Sequence, residues 1–394
     1  MTRLQVGSAV TLGDAVVLGM LLPYLPFVVI DMGGGAEMVA LLASCFGVSA
    51  WAGSPVLGWL CDRAGRRTVI LASLFISAVA YLGMLVFWSI PAIFGFQALA
   101  GLMVGRDAAV RALVVSGEAP DRHPRIVGTV TGLGAVGSIL GPLLAALVAL
   151  AVDETMRHGV ILGFVIVVHA LCGGLGLLAL EKDAPPKARP SGNGAPAWER
   201  ITPMSDGVRR PLLLQGLVSF AWGVLISTIT VLVHVRFSWS EVEMSGIMVV
   251  IALATIASRL VVMPRAISAF GLGPTTVGAT VVCVPALAIT GLPGGVSAFW
   301  AGLVAFVMSV NILMTVPTLL ITQDVPSRIQ GSALGFRQSV SSMMVYGVAG
   351  LHGWLFARFG PASPYLLGAV LLCAFPLLLA DSHGGSASRT KPES

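Results

Sequence analysis

The chain has 394 residues, of which 56% are hydrophobic and only 10% charged, with a mean hydropathy of +0.92. A soluble domain carries about 25% charged residues, so this composition excludes an ordinary water-soluble fold. The net charge of +5 does not point to nucleic acid, because the basic residues sit in loops and no folded basic domain exists to hold them; anionic lipid headgroups are the matching counter-charge.

Apolar runs of about 20 residues, broken by charges and Pro/Gly clusters, predict membrane-spanning helices. They fall at 6–30, 38–60, 68–88, 92–116, 126–152, 159–180, 211–235, 244–263, 274–292, 297–320, 331–357 and 365–380. No small-residue cleavage site follows the first run, so it is expected to be retained and not removed as a signal peptide. It contains Asp14, which a rise of 1.5 Å per residue places roughly 12 Å from the inner end, and Tyr24 between Pro23 and Pro26. Between the second and third runs stands Gly58-Trp59-Leu60-Cys61-Asp62-Arg63-Ala64-Gly65-Arg66-Arg67, expected to form a tight cytoplasmic loop. Gly58 and Gly65 permit close approach and unusual backbone angles, and Asp62 can accept hydrogen bonds at a helix end. A plain orientation-setting basic loop would need only the arginines.

The fourth span carries Gln97, Arg106, Asp107 and Arg111. Ionisable groups inside a membrane mark function more often than scaffolding. Asp107 and Arg111 are four apart, acid first, the favourable order for a pair on one helix face. Arg106 then lacks a local partner, and Asp14 lies at matching depth on another helix. The expectation is a network of Asp14, Arg106 and Asp107, with Arg111 beside it, that switches as a carboxylate gains or loses a proton. A fixed ion cluster bracing the helices fits the same residues. His169 and His234 are expected to be satisfied core or interfacial histidines.

The fifth span places Gly137, Gly141 and Pro142 where small residues four apart allow close helix contact. Residues 181–210 are rich in Pro, Gly, Lys and Arg and predict a cytoplasmic linker between a six-helix half at 1–180 and another at 211–381, with a disordered tail at 382–394. The seventh span has Gln215, Ser219 and Trp222 on one face, with Thr230 further along; the tenth has Asn311, Thr315, Thr318 and Thr322 on one face. Such polar stripes line either a cavity or a neighbouring helix. Arg259 and Arg337 are expected to snorkel to the interface. The halves echo one another: Arg125-Ile126-Val127-Gly128-Thr129 and Arg328-Ile329-Gln330-Gly331-Ser332 open spans five and eleven.

Of the 23 Lys and Arg, sixteen fall in loops on one side and three on the other, and four lie within spans. That asymmetry puts both chain ends in the cytoplasm. The five cysteines contain no CxxC pair and read as packing residues. There is no Walker loop, HExxH or paired Cys/His site, so no enzyme chemistry, metal or cofactor is expected.

The 58–67 string resembles the conserved loop of the major facilitator superfamily, G-x-L-[small]-D-[R/K]-x-G-[R/K]-[R/K], with Gly58, Leu60, Cys61, Asp62, Arg63, Gly65, Arg66 and Arg67 filling its positions. Gly137, Gly141 and Pro142 resemble the G-x-x-x-G-P-x-x-G-G motif of the antiporter branch, with Ala145 and Ala146 in place of the last glycines. Asp14 through Pro23-Tyr24-Leu25-Pro26 looks like the first span of tetracycline and drug efflux proteins. One departure stands out. Where efflux members carry Arg four residues before a Gly in span four, this chain has Gln97 before Gly101, so the family's proton circuit does not map onto it directly.

The resemblance implies an all-α membrane protein with twelve transmembrane helices in two six-helix bundles, the major facilitator fold. It also implies a conformational-switch role for the 58–67 string and a cavity lined by spans one, four, seven and ten. Tyr24, Gln97, Gln215, Ser219, Trp222, Asn311, Thr315 and Thr318 are then the candidate substrate residues. The expected function is alternating-access secondary transport, with proton-coupled export of a small organic solute first. Uptake symport, uniport or a non-transporting scaffold are the alternatives. The implied partners are a small-molecule substrate, protons and the lipid bilayer, with no nucleic acid. A monomer in a bacterial inner membrane is expected.

Overall fold

The computed structural model describes residues 2–115, 119, 122–180, 206–324 and 327–384. The linker expected at 181–210 lies largely outside them, as do most of the tail and the side chains of Asp62, Thr322, Arg125 and Arg328. Among the described residues all regular structure is helical. Eleven helical segments are long and apolar enough to cross a membrane, and a shorter twelfth occupies Ser363–Leu379.

Most spans are single helices: α1 (Arg3–Asp31), α2 (Ala36–Ala64), α3 (Arg66–Val86), α6 (His123–Ala151), α7 (Glu154–Ala179), α8 (Asp206–Phe237), α11 (Leu272–Gly291) and α12 (Val296–Asp324). Others are interrupted. A 3-10 turn at Met103–Gly105 joins α4 (Ile90–Leu102) to α5 (Arg106–Val114). A π-helical turn at Ser258–Val262 joins α9 (Glu241–Ala257) to α10 (Met263–Phe270), and another at Met343–Gly347 joins α13 (Ser327–Ser342) to α14 (Ala349–Phe359). The last span is α15 (Ser363–Leu372) followed by α16 (Phe375–Gly384).

The structure corrects the expected loop at 58–67. Helix α2 runs on to Ala64, and Gly65 alone separates it from α3. Gly65 has φ +85° and ψ 154°, a region that is essentially closed to residues bearing a Cβ. Its N–H donates to the carbonyl of Cys61, ending α2. Gly58 lies inside the helix with open space where a Cβ would stand, so close approach does not explain it. Gly271 links α10 to α11 by the same device, with φ +84° and its N–H on the Ile267 carbonyl. The repeat between the halves therefore includes a one-glycine corner that the sequence pattern alone does not expose.

The chain forms two compact units, Met1–Gly192 with Val233–Ala252, and Asn193–Leu232 with Leu253–Ser394. The first is held by unusually close helix pairs. At Gly137 a Cβ would sit 2.7 Å from the Leu12 carbonyl oxygen, and at Gly141 2.3 Å from that of Val16, so α6 lies backbone-to-backbone on α1. Gly53 of α2 and Gly101 of α4 likewise abut backbone, at 2.1 Å from Leu102 O and 2.5 Å from Phe46 O. Without a water-exclusion force between helices in lipid, this intimacy is what packs them. Val6, Val10, Ile70, Leu74, Val110 and Leu113 form the core at one end of this unit. In the second unit Val208, Leu212, Ile321 and Ala333 play that part.

Candidate functional site

In the first unit the close α1–α6 packing and the 3-10 turn before α5 set one charged cluster. Arg106, at the start of α5, donates from Nε to Asp14 Oδ2 at 2.7 Å and from Nη2 to Asp14 Oδ1. This is a two-pronged guanidinium–carboxylate fork, the geometry in which such pairs are strongest. The side chains are nearly sealed, 7% exposed for Arg106 and 15% for Asp14. The remaining donors are also used: Nη1 meets Ser77 Oγ at 2.8 Å and Met103 O at 3.4 Å, and Nη2 lies 3.2 Å from His169 Nε2.

A guanidinium only donates, so His169 Nε2 accepts. Its Nδ1, 2.9 Å from Val165 O, then carries the proton and donates to that carbonyl. His169 is thereby held as the neutral Nδ1–H tautomer, 2% exposed, against Tyr81. It is a satisfied core histidine, as the sequence leads one to expect, but the charged cluster is what satisfies it. Depth is the signal that points to it: His169 and Ser77 lie eleven residues from the cytoplasmic ends of their predicted spans in one case and nine in the other, so roughly 16 and 14 Å deep, level with Arg106.

The expected three-residue network is corrected in one member. Consecutive helical residues point about 100° apart, so Asp107 turns away from the fork that Arg106 makes. It pairs with Arg111 at 3.5 Å, and both are about half exposed. All four still line one cavity of about 230 Å³, with Thr11, Ser77, Tyr81 and Ser138 among its other walls. Tyr24 and Gln97 are buried but do not line it. Among the described residues Gln97 Oε1 has no hydrogen-bond partner.

Within the 58–67 string, Arg67 donates from Nη2 to Leu177 O at 3.1 Å and so caps the end of α7. A cation at a helix C-terminus is favoured by the helix dipole as well as by the orphan carbonyl.

In the second unit the polar stripes face neighbouring helices. Gln215 and Ser219 of α8 bond one another at 2.7 Å, and both reach Ser341 of α13, at 3.3 and 2.9 Å. Arg337 donates to Gln215 Oε1 at 2.6 Å. Asn311 donates from Nδ2 to Thr255 Oγ1 and Val307 O, and accepts from Arg259 Nε at 3.0 Å. Thr315 spends its hydroxyl on the Asn311 carbonyl. Thr318 and Trp222 are half-buried. Arg259 is itself exposed. The span continues to Phe270, eleven residues on, which is about 16 Å further at 1.5 Å per residue.

Among the described residues no cluster of His, Cys, Asp and Glu suits a metal ion. The model of the Major Facilitator Superfamily matches residues 8–350. Two curated relatives are the class H tetracycline resistance protein of Pasteurella multocida, 29% identical over 142 residues, and the class C protein of Escherichia coli, 33% identical over 144 residues. These matches span 35% and 34% of this chain and only 35% and 36% of the relatives' own lengths. Solved structures of the same fold include the human organic anion transporter MFSD10, with TM-score 0.68, 19% identity and coverage of 95% of this chain and 98% of that one. The nucleoside transporter NupG gives TM-score 0.74, 14% identity and coverage of 96% of this chain and 99% of that one.

Proposed function

Because the chain belongs to the major facilitator superfamily, and is therefore an integral membrane transporter of small molecules and not an enzyme, we propose that it exports a small organic solute in exchange for protons. The observation that carries this reading is the sealed Asp14–Arg106 fork on the wall of a cavity inside the membrane-spanning part of the first unit. A carboxylate held by a single guanidinium in low dielectric has two stable states, paired and ionised or released and protonated. Asp14 is the proton carrier, Arg106 its counter-charge, and Ser77 with neutral His169 hold the guanidinium when Asp14 lets go. Asp107 and Arg111 form the polar mouth of the same cavity. The direction of transport follows the names of the tetracycline resistance relatives. Residues 1–180 and 211–381 serve as the two moving halves, joined by 181–210 on the cytoplasmic side of the inner membrane.

Expression in bacteria stripped of their own exporters tests this. Accumulation of tetracycline and a panel of amphipathic compounds is measured with and without a protonophore. The account expects at least one compound to be held below its control level, and that difference to vanish when the proton gradient collapses. Accumulation that is lowered equally with and without the gradient defeats proton coupling.

A further inference from the structure

A second largely buried ion pair stands apart from the Asp14–Arg106 fork. Arg157, in the first turn of α7, donates from Nη2 to Ala149 O at 2.9 Å and to Val152 O at 3.4 Å, carbonyls at the end of α6. Its Nη1 donates to Glu241 Oε1, at the first residue of α9. The two side chains are 21% and 13% exposed. Each charge sits at the helix end whose dipole favours it, the cation at the end of α6 and the carboxylate at the start of α9. Counting crossings from Gly65 through α3, α4 with α5, and α6 puts this pair on the opposite face of the first unit.

The corner that presents Glu241 is stiff. Ser238 has φ +55°, which residues with a Cβ seldom adopt. Its N–H donates to His234 O at 3.0 Å, the Trp239 N–H to Val233 O at 3.4 Å, and His234 Nδ1 to Trp239 O at 3.3 Å. Ser240 then opens α9, its N–H donating to Glu243 Oε2 at 2.9 Å. His234 also meets the Phe27 ring of α1 edge-on, with centroids 5.8 Å apart. One rigid corner thus carries two contacts, an ionic one to α7 and an aromatic one to α1. By sequence this corner follows the 181–210 segment and belongs with the second six-helix half. In the structure Val233–Ala252 nevertheless groups with Met1–Gly192, and the rest of 193–394 does not. The Asp14–Arg106 fork makes no such tie, because both of its partners precede the 181–210 segment.

We infer that the Arg157–Glu241 pair, backed by Phe27 against His234, is a latch that holds this face shut and must open for cargo to leave by it. The inference rests on the transporter reading, in which two halves move against one another, and adds the contact that resists the movement. In the orientation expected from the basic loops, this is the outer face.

The test is hydrogen-exchange mass spectrometry on the purified full chain in neutral detergent, comparing the wild type with R157Q, E241Q and the double variant. Each variant should exchange about threefold faster or more at 24–31 and 233–252, which lose their tie, and more slowly at 58–70, as the opposite face closes. The double variant should match the single ones, because either substitution alone already removes the pair. The inference is overturned if exchange is unchanged, or if the two single effects simply add. It is also overturned if only 233–252 responds while 58–70 stays as in the wild type, which would make the pair a local brace. Should the Gln variants not fold, R157K decides by the same segments, since Lys keeps the charge but cannot hold the α6 carbonyls and Glu241 together in a planar fork. Exchange needs no transport, so opposite changes at the two faces with no flux of any compound in the efflux screen would sink the transporter reading and leave the latch. Proton-coupled export by a protein whose variants exchange like the wild type would sink the latch alone.

Discussion

Replacing Asp14 by Asn leaves the Arg106 guanidinium buried, 7% exposed, without its counter-charge. Removing one partner of a buried pair costs about 3–5 kcal/mol, because the other charge is stranded. Here the lower end applies, since Ser77 Oγ at 2.8 Å, Met103 O at 3.4 Å and His169 Nε2 at 3.2 Å still accept from the guanidinium. About 3 kcal/mol corresponds to a loss of roughly a hundredfold in the folding equilibrium. The double variant D14N/R106Q removes the stranded charge too, so it should be more stable than the sum of the single losses by about 2 kcal/mol or more. D107N is the internal control. Its pair with Arg111 is half exposed at 3.5 Å, so it should stay within about 0.5 kcal/mol of the wild type. Denaturant titration in mixed micelles, read by tryptophan fluorescence, measures all of these proteins. If D14N is as stable as D107N, or if the double variant is simply additive, the fork is not the buried, coupled pair described above.

Other perturbations separate packing from chemistry. H169F removes the acceptor for Arg106 Nη2 and the donor to Val165 O, and should destabilise by about 1–3 kcal/mol, whereas H169Q, which can supply both, should recover much of that in the same titration. G141A drives a Cβ against Val16 O at 2.3 Å, so α1 and α6 must part; a loss of about 1–3 kcal/mol is expected, with lower yield of folded protein on size-exclusion chromatography. G58A meets nothing within 4 Å inside a helix and should be neutral or stabilising by about 0.5–1 kcal/mol by thermal melting, whatever it does to transport. G65A and G271A each force a side chain into φ near +85° and should cost about 1–3 kcal/mol apiece; if either melts like the wild type, the one-glycine corners are not strained in the way their dihedrals imply.

The span pattern and the charged residues are legible in the sequence because burying charge in lipid is expensive, so every exception in an apolar run stands out. Asp14 and Arg106 can be matched by depth alone. Asp107 cannot be excluded that way: depth ignores the rotation between neighbouring residues, and the 3-10 turn at Met103–Gly105 resets the helix face just before it. Ser77, and the tie of His169 to the charged cluster, escape notice because a neutral polar residue in an apolar helix carries little signal until its depth is compared with a charge on another helix. The 58–67 string looks like a loop because its charges are dense, yet a run of Arg and Asp is compatible with helix and only Gly65 must break it.

The central claim is that Asp14 carries the proton that drives cargo movement. Proteoliposomes loaded with a pH-sensitive dye and supplied with the most strongly exported compound of the efflux screen measure this directly, in the wild type and in D14N. The account predicts that wild-type protein moves protons opposite to the compound, and that D14N lets the compound run down its own gradient with no proton movement. Proton movement in D14N at the wild-type ratio to cargo would contradict it.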